Sequence, residues 1–596
     1  MNWFLAFVSV ENIDLEQISI KNLIFNEFKQ TAMEVKGEKE DFQFVYASNK
    51  NNKINEFMFE NIVIIGDVSL HNRKEIIIKY NLDMNMDNER LISYLYIRKG
   101  IEVLKDLIGE FSFILYDQDR KKVYAVRDQI GIKTLFWIRR KDGYIFASDI
   151  FLLKNFFDFS NLNNDYFKEF LEKDGILDSR ITPYRDVNRL SSGSYLISDT
   201  SNGNFKMHQY WELSNIKNTI VYENQLDYFE EFTDLLLKSV KDRLVTETGN
   251  SIMLSGGMDS TSLYALSKNI EAQENQFKIS SVSAVFDELK ECDERIYIEE
   301  LLNMYKSEGQ YINCDNKLVF EDFPNTKVFS YEPSVNATSF SLMYPLLRDS
   351  VHNGASNVLS GYGGDHLLTG SLHVTRDFLK KREIRKAFAY MTNYSICTNT
   401  SAFQNSINYM FFPNVAKEYV LTKNSNYYKY MSKKMKNIKY FHQKELYYQI
   451  SNAKAHLYMD KVLGAFVGAD IKHPFLDRRL IEYIYKIPGE FRFSHMNTKY
   501  ILRKSMGNYL PESIVNRQNK TTHLAYIYKS IQKKWPVILK VMQHPMIVEN
   551  LKLVTRKFWE EELYKWRNGV ENHESFWVLF MIEIWLIQHT QVISRG

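Results

Sequence analysis

The hexapeptide Ser255-Gly256-Gly257-Met258-Asp259-Ser260 has the residue types and spacing to hold a polyphosphate. The apolar run Ile252-Met253-Leu254 before it reads as a buried strand, and Thr261-Ser262-Leu263-Tyr264-Ala265-Leu266 after it reads as a helix. A strand, a Gly-rich turn and a helix start form an anion site, because bare N–H groups point at the ligand and the helix dipole adds positive potential. Glycines let the backbone come close to phosphate. No Gly-Lys-Ser/Thr follows, so this is not a Walker A loop. Asp259 is placed to hold Mg²⁺, which takes one or two carboxylates plus phosphate oxygens and water. The same residues also read as an ordinary Gly turn before a helix.

The elements that must position this loop are legible around it. The first third of the chain carries short β-like runs at 44–46, 62–65, 111–116 and 123–126, and the apolar start at 1–8 reads as a first strand. A linker is expected around 214–224. Apolar residues at Leu226, Phe229, Phe232, Leu236, Val240 and Leu244 then recur at helical spacing. Strands at 252–254, 279–286 and 358–359 alternate with helices, which argues for a parallel sheet covered on both faces. Beyond Gly370 the pattern is mainly helical. The Lys-, Arg- and Tyr-rich stretch 373–449 reads as a solvated helical insertion, or as a surface for a peptide substrate or partner.

The chain has 596 residues, 45% hydrophobic and 25% charged, so it is globular and long enough for more than one domain. A net charge of +3 gives no reason to invoke nucleic acid. Cys292, Cys314 and Cys397 show no paired spacing, so neither a disulfide framework nor a zinc site is expected, and a cytoplasmic location fits. The start lacks the basic flank and cleavage site of a signal peptide. The run 576–582, broken by Glu583, is too short to span a bilayer and reads as a buried helix with no membrane role.

Several ordered segments together resemble the asparagine synthetase B family, and the loop at Ser255 resembles the pyrophosphate loop of N-type ATP pyrophosphatases. Gly109-Glu110-Phe111-Ser112-Phe113, Arg127-Asp128-Gln129-Ile130-Gly131-Ile132-Lys133, Phe146-Ala147-Ser148-Asp149 and Tyr210-Trp211 are similar to that family's glutaminase domain. Cys292-Asp293-Glu294, Leu359-Ser360-Gly361-Tyr362-Gly363-Gly364-Asp365, His473-Pro474-Phe475-Leu476-Asp477 and Lys499-Tyr500-Ile501-Leu502-Arg503 are similar to its synthetase domain. The implied fold is α/β: an Ntn-hydrolase-like α/β sandwich over 1–213, then an ATP-pyrophosphatase domain with a parallel sheet and helical additions over 225–596.

The departures from the family pattern carry information. An Ntn glutaminase uses a Cys whose own α-amine is the base. The family's Met-Cys-Gly start reads Met1-Asn2-Trp3 here, its Asn-Gly-Glu loop reads Ile65-Gly66-Asp67, and the acidic residue expected before Gly109 is Ile108. The expectation is a domain that docks or braces and releases no ammonia. Asparagine synthetases have Ser-Gly-Glu-Gly where this chain has Ser360-Gly361-Tyr362-Gly363. Tyr in that place resembles β-lactam synthetases and their relatives the lasso-peptide cyclases, which close a lactam from a carboxylate and an amine of one molecule.

By resemblance, ATP's phosphates sit on Ser255, Gly256, Gly257 and Ser260, Asp259 and Asp365 bind Mg²⁺, and Leu254, Val285 and Gly361 meet the adenine or ribose. For Asp365 a helix N-cap is the other reading. Lys499 resembles the lysine on the β- and γ-phosphates. Lys520 resembles the lysine that stabilises the acyl-transfer intermediate, although one extra residue separates it from Arg517. Tyr362 is an acid–base group or a pocket wall. As an acid–base group it needs a carboxylate partner, Asp460 or else Asp470. The implied activity is an ATP-dependent, AMP-forming ligase that closes a macrolactam in a ribosomal precursor peptide, working beside a leader-binding protein and a leader peptidase. The alternatives are an ammonia-dependent asparagine synthetase, a β-lactam synthetase-like enzyme and a non-catalytic pseudoenzyme.

Overall fold

A computed structural model describes residues 2–595 except 12, 50–53, 174, 176–179, 202, 204, 320, 322–327, 412–432, 495–496, 520 and 569–573. Two six-stranded antiparallel sheets build the N-terminal half. One runs, edge to edge, Val187–Arg189, Phe136–Arg139, Tyr144–Ala147, Trp3–Val8, Phe42–Ser48, Met33–Lys39. The other runs Phe205–Gln209, Ser194–Asp199, Lys122–Arg127, Gly109–Asp117, Ile62–Leu70, Met58–Phe59. Side chains alternate across each strand. Phe4, Ala6 and Val8 therefore enter the core between the sheets with Ile65, Ile114 and Ala125. Trp3, Leu5 and Phe7 enter a second core on the outer face. The outer face of the other sheet is covered by Arg73–Tyr80 and Asn88–Lys99. The result is an α/β sandwich, helices outside and two sheets inside.

The outer core that holds Leu5 and Phe7 also holds Tyr458, Val462, Trp559, Phe576 and Trp585 from the C-terminal half. One apolar cluster thus joins both halves, and each fully buried aliphatic or aromatic side chain contributes about 1.5–3 kcal/mol to holding them. Polar contacts cross the same boundary. Tyr458 Oη and Lys461 Nζ both donate to Asp149, each at 2.9 Å. Trp211 Nε1 donates to Glu482 Oε1 at 2.8 Å.

The C-terminal half is built on a five-stranded parallel sheet in the order Gln310–Asn313, Ile279–Val285, Asn250–Met253, Asn357–Leu359, Asp470–Lys472. The sequence pattern anticipates the three central strands. It misses the edge strands, whose end residues Gln310, Asn313, Asp470 and Lys472 are polar and leave no apolar run. The helix expected from Leu226 onward is Gln225–Lys241.

Two expectations need correction. The insertion at 373–449 does not end as a unit: its last residues open the 27-residue helix Phe441–Val467, which runs on into the site. The apolar C-terminal run is a buried helix as expected, but it is longer than the stretch before Glu583, because Glu574–Arg595 is one helix with Glu583 inside it. Its carboxylate is buried where Met546 N and Ile547 N donate to it at 2.8 and 2.9 Å. Among the described residues, the stretch Phe576–Ser594 is long and apolar enough to cross a membrane, with 61% of that window buried inside the protein.

Candidate active site

Chain order reverses at Asn250–Met253, the middle strand, whose neighbours lead away in opposite directions. In such sheets the crevice at the carboxyl ends of the strands around the reversal is where ligands bind. Two loops leave there, 255–260 after Asn250–Met253 and 360–365 after Asn357–Leu359.

The first loop is held from outside. Ser255 N donates to Ser260 Oγ at 3.0 Å, and the two hydroxyls are 2.9 Å apart. Gly256 N donates to Glu294 Oε2 at 3.0 Å, and Arg517 Nη1 donates to Gly256 O at 2.8 Å. Glu294 and Arg517 close this clamp as an ion pair of 2.9 Å. Helix Met258–Gln273 starts at Gly257, which gives no side-chain cap to its first N–H groups. Nearby, Leu254 N donates to Val282 O and Cys314 N to Val285 O, both at 2.9 Å. Leu254 and Val285 thus stand at the carboxyl ends of these two neighbouring strands.

The second loop packs on the first through glycines. A Cβ on Gly364 would fall 2.5 Å from Asp259 Cγ. Gly363 has φ +94°, and a Cβ there would fall 2.7 Å from Leu476 Cγ. This close approach brings Asp259 and Asp365 to one point. Lys499 Nζ lies 2.6 Å from Asp259 Oδ2 and 2.7 Å from Asp365 Oδ1. Burial works against the lysine cation, but the two carboxylates outweigh it and raise its pKa. Lys499 has φ 58°, a left-handed conformation that costs of order 1–3 kcal/mol and clusters at functional sites. Gly363, not Asp365, is the cap of the short helix Gly364–Leu368, so the capping alternative for Asp365 falls away. Two carboxylates already converging on one cation fit Mg²⁺, a hard ion with oxygen ligands.

Tyr362 does not pair with a carboxylate. Its hydroxyl donates to the Ala453 carbonyl at 2.9 Å. Burial, with Asp460 adding to it, pushes the phenol far above its ordinary value. Asp460 is instead buried between two imidazoles, 3.2 Å from His456 Nε2 and 2.8 Å from His473 Nε2. Burial would raise its carboxyl, but His456 and His473 hold it well below the usual range. The Tyr362 ring packs on His456 at 4.8 Å and on His473 at 5.8 Å between centroids. Asp470 pairs with Lys472 at 2.8 Å. Lys520 lies outside the described residues. Sequence reading assigns no role to Glu294, Arg517, His456 or His473. The i, i+4 spacing of His456 and Asp460 on one helix was the readable signal.

In the N-terminal half, Asp67, which departs from the glutaminase pattern, and Glu110, which keeps it, both carry ion pairs. Asp67 is bound by Lys133 at 2.8 Å. Glu110 is bound by Arg243 at 2.9 Å and Lys472 at 3.4 Å. The Asp128 carboxylate accepts from the N–H groups of Ile130, Gly131, Ile132 and Lys133 and fixes that loop.

Comparison with known proteins agrees with this geometry. Residues 231–587 match the Asparagine synthase family and residues 60–211 match the Glutamine amidotransferase domain. The chain is 24% identical over 328 residues to a putative glutamine-hydrolysing asparagine synthetase of Methanocaldococcus jannaschii, covering 54% of this chain and 62% of that protein. It is 24% identical over 549 residues to amidase chyE of Penicillium rubens, covering 80% and 77%. It is 22% identical over 538 residues to the asparagine synthetase of Cricetulus griseus, covering 85% and 80%. The sandwich is the Ntn-type amidotransferase fold and the parallel-sheet half is the ATP-pyrophosphatase fold, and the chain belongs to the asparagine synthase family.

Proposed function

We propose that the chain is an ATP-dependent amide ligase that adenylates a carboxylate, releases pyrophosphate and passes the acyl group to an amine, ending with AMP. The observation that carries this reading is the convergence of Asp259, Asp365 and Lys499 on the loop 255–260. Ser255 N and Gly256 N already donate to Ser260 and Glu294, so the uncapped first N–H groups of helix Met258–Gln273, Ser260 among them, would cradle the phosphates. Lys499 would offset the charge that develops on departing pyrophosphate. Mg²⁺ on Asp259 and Asp365 would supply further positive charge there.

The amine is proposed to come from the acceptor substrate and not from glutamine. No cysteine lies within residues 1–213, and Asp67 is tied up by Lys133. With Tyr362 in the loop and a Lys- and Tyr-rich segment nearby, the substrate is proposed to be a peptide. Its amine would close a macrolactam on an Asp or Glu side chain, as in lasso-peptide cyclases, after a leader-binding protein and a leader peptidase have acted. The test is mass spectrometry of a leader-free precursor with Mg-ATP, with and without the chain and with Asp259→Ala. Loss of one water that needs the intact chain supports the reading, and an unchanged mass refutes it. The alignment with asparagine synthetase over 538 residues favours a second reading, ammonia-dependent amidation of aspartate. Asparagine formed from aspartate, ammonium and ATP would decide for it.

A further inference from the structure

An amine that attacks an acyl adenylate arrives as an ammonium and must shed a proton first. The Tyr362 phenol is a poor acceptor, since its hydroxyl already donates to Ala453 O. The neighbouring imidazoles are differently placed. His473 follows the edge strand Asp470–Lys472, at the same carboxyl end of the sheet as the phosphate loop and beyond Tyr362. Its Nε2 faces Asp460 Oδ2 at 2.8 Å, so the carboxylate fixes the tautomer with the proton on Nε2 and the lone pair on Nδ1. His473 Nδ1, like His456 Nδ1, is buried and has no hydrogen-bond partner among the described residues, but only His473 follows the strand end and lines the interdomain cavity. His456 Nε2 lies 3.2 Å from the other carboxylate oxygen. Burial alone would lower the pKa of His456, but Asp460 outweighs burial and raises it.

We propose that His473 is the base of the acyl-transfer step, with Asp460 and His456 as its positioning residues. His473 Nδ1 takes one proton from the ammonium. The freed nitrogen lone pair forms the C–N bond, the C–O bond to AMP breaks, and AMP leaves with that electron pair. The second proton, lost as the amide forms, goes to water. The groups facing the base are Asp460, His456 and Tyr362, with His366 across the Tyr362 ring. Asp67, Glu110, Lys133, Lys461 and Asp470 share the interdomain cavity that His473 lines.

This assignment rests on the adenylation reading, so the test separates the two. Hydroxylamine is unprotonated at neutral pH and traps an acyl adenylate without a base. The probes are aspartate and a linear peptide with a free N-terminal amine and one internal Asp, each with Mg-ATP. The acceptor is either hydroxylamine or the natural amine, ammonium for aspartate and the N-terminus for the peptide. In His473→Gln, amide formation is expected to fall about 100-fold or more, the usual worth of a general base, while hydroxamate formation stays within a few-fold. Asp460→Asn, which unsettles the tautomer, is expected to give the same split. Equal loss of both products in both variants, or full retention of amide formation in His473→Gln, overturns the base assignment. No hydroxamate from the parent chain with either probe overturns the ligase reading and the assignment with it.

Discussion

Lys499 and Asp259, 240 positions apart in sequence, meet at 2.6 Å over the phosphate loop. Asp365 completes the cluster on the same ammonium at 2.7 Å. The lysine offsets two carboxylates that would otherwise repel one another in a half-buried site.

That relationship predicts opposite effects on turnover and on metal binding. Lys499→Met should cut adenylation by about 100-fold or more, the scale of losing one electrostatic donor at a developing charge. It should also leave Asp259 and Asp365 without their cation. Millimolar MgCl₂ should then raise the variant's Tm more than the parent's, because a ligand that binds only the folded state stabilises it by mass action. Equal shifts in MgCl₂ for the two proteins, against an NaCl control of matched ionic strength, would rule out the carboxylates as the metal site.

Glu294 and Arg517 make a second prediction. Their pair is nearly buried and clamps both sides of the Gly256 peptide. Arg517→Ala strands a buried carboxylate, and removing one partner of such a pair costs about 3–5 kcal/mol. Arg517→Met with Glu294→Gln should recover much of that stability and little of the activity, since the loop would still lack its clamp. Urea unfolding read beside pyrophosphate release checks both halves.

Tyr362→Phe distinguishes two catalytic pictures. The lost hydrogen bond to Ala453 O is worth about 0.5–1.5 kcal/mol. Amide formation is therefore expected to stay within about tenfold of the parent, less than the general-base range of about 100- to 10,000-fold. A loss inside that range would return the proton-transfer role to the phenol.

The loops were legible in the sequence because glycine spacing and an apolar strand mark them locally. The Ser255 loop, Asp259, Asp365 and Lys499 come together as their motifs imply. What the sequence hid was partnership across distance. Asp460 looked like a partner for Tyr362 because a phenol needs a carboxylate to act as an acid–base group and Asp460 lies ahead of the Pro474-Phe475-Leu476-Asp477 motif. Packing instead turned the Tyr362 hydroxyl to a helix carbonyl and placed His456 and His473 on the carboxylate. The edge strand Asp470–Lys472 has one apolar residue between two charged ones and no run to read, yet it delivers His473 to the site. The docking role of Asp149 depends on Tyr458 and Lys461, contacts no local pattern announces.

The buried end of the chain offers a test of pH linkage. Burial raises the Glu583 carboxyl to about 7, more than the donations from Ile547 N and Met546 N lower it. An unfolded Glu titrates near about 4.3. Between these values the folded state holds a proton that the unfolded state has lost, so this group's contribution is full below about 4.3 and falls as pH rises through 7. Glu583→Gln is neutral throughout, yet its amide can replace only part of the acceptor set seen by Met546 N and Ile547 N. It should be less stable than the parent at pH 5, and the gap should narrow or reverse by pH 8. Urea midpoints of both proteins at the two pH values measure this directly. A gap that is independent of pH would mean that Glu583 is ionised in the folded protein at both.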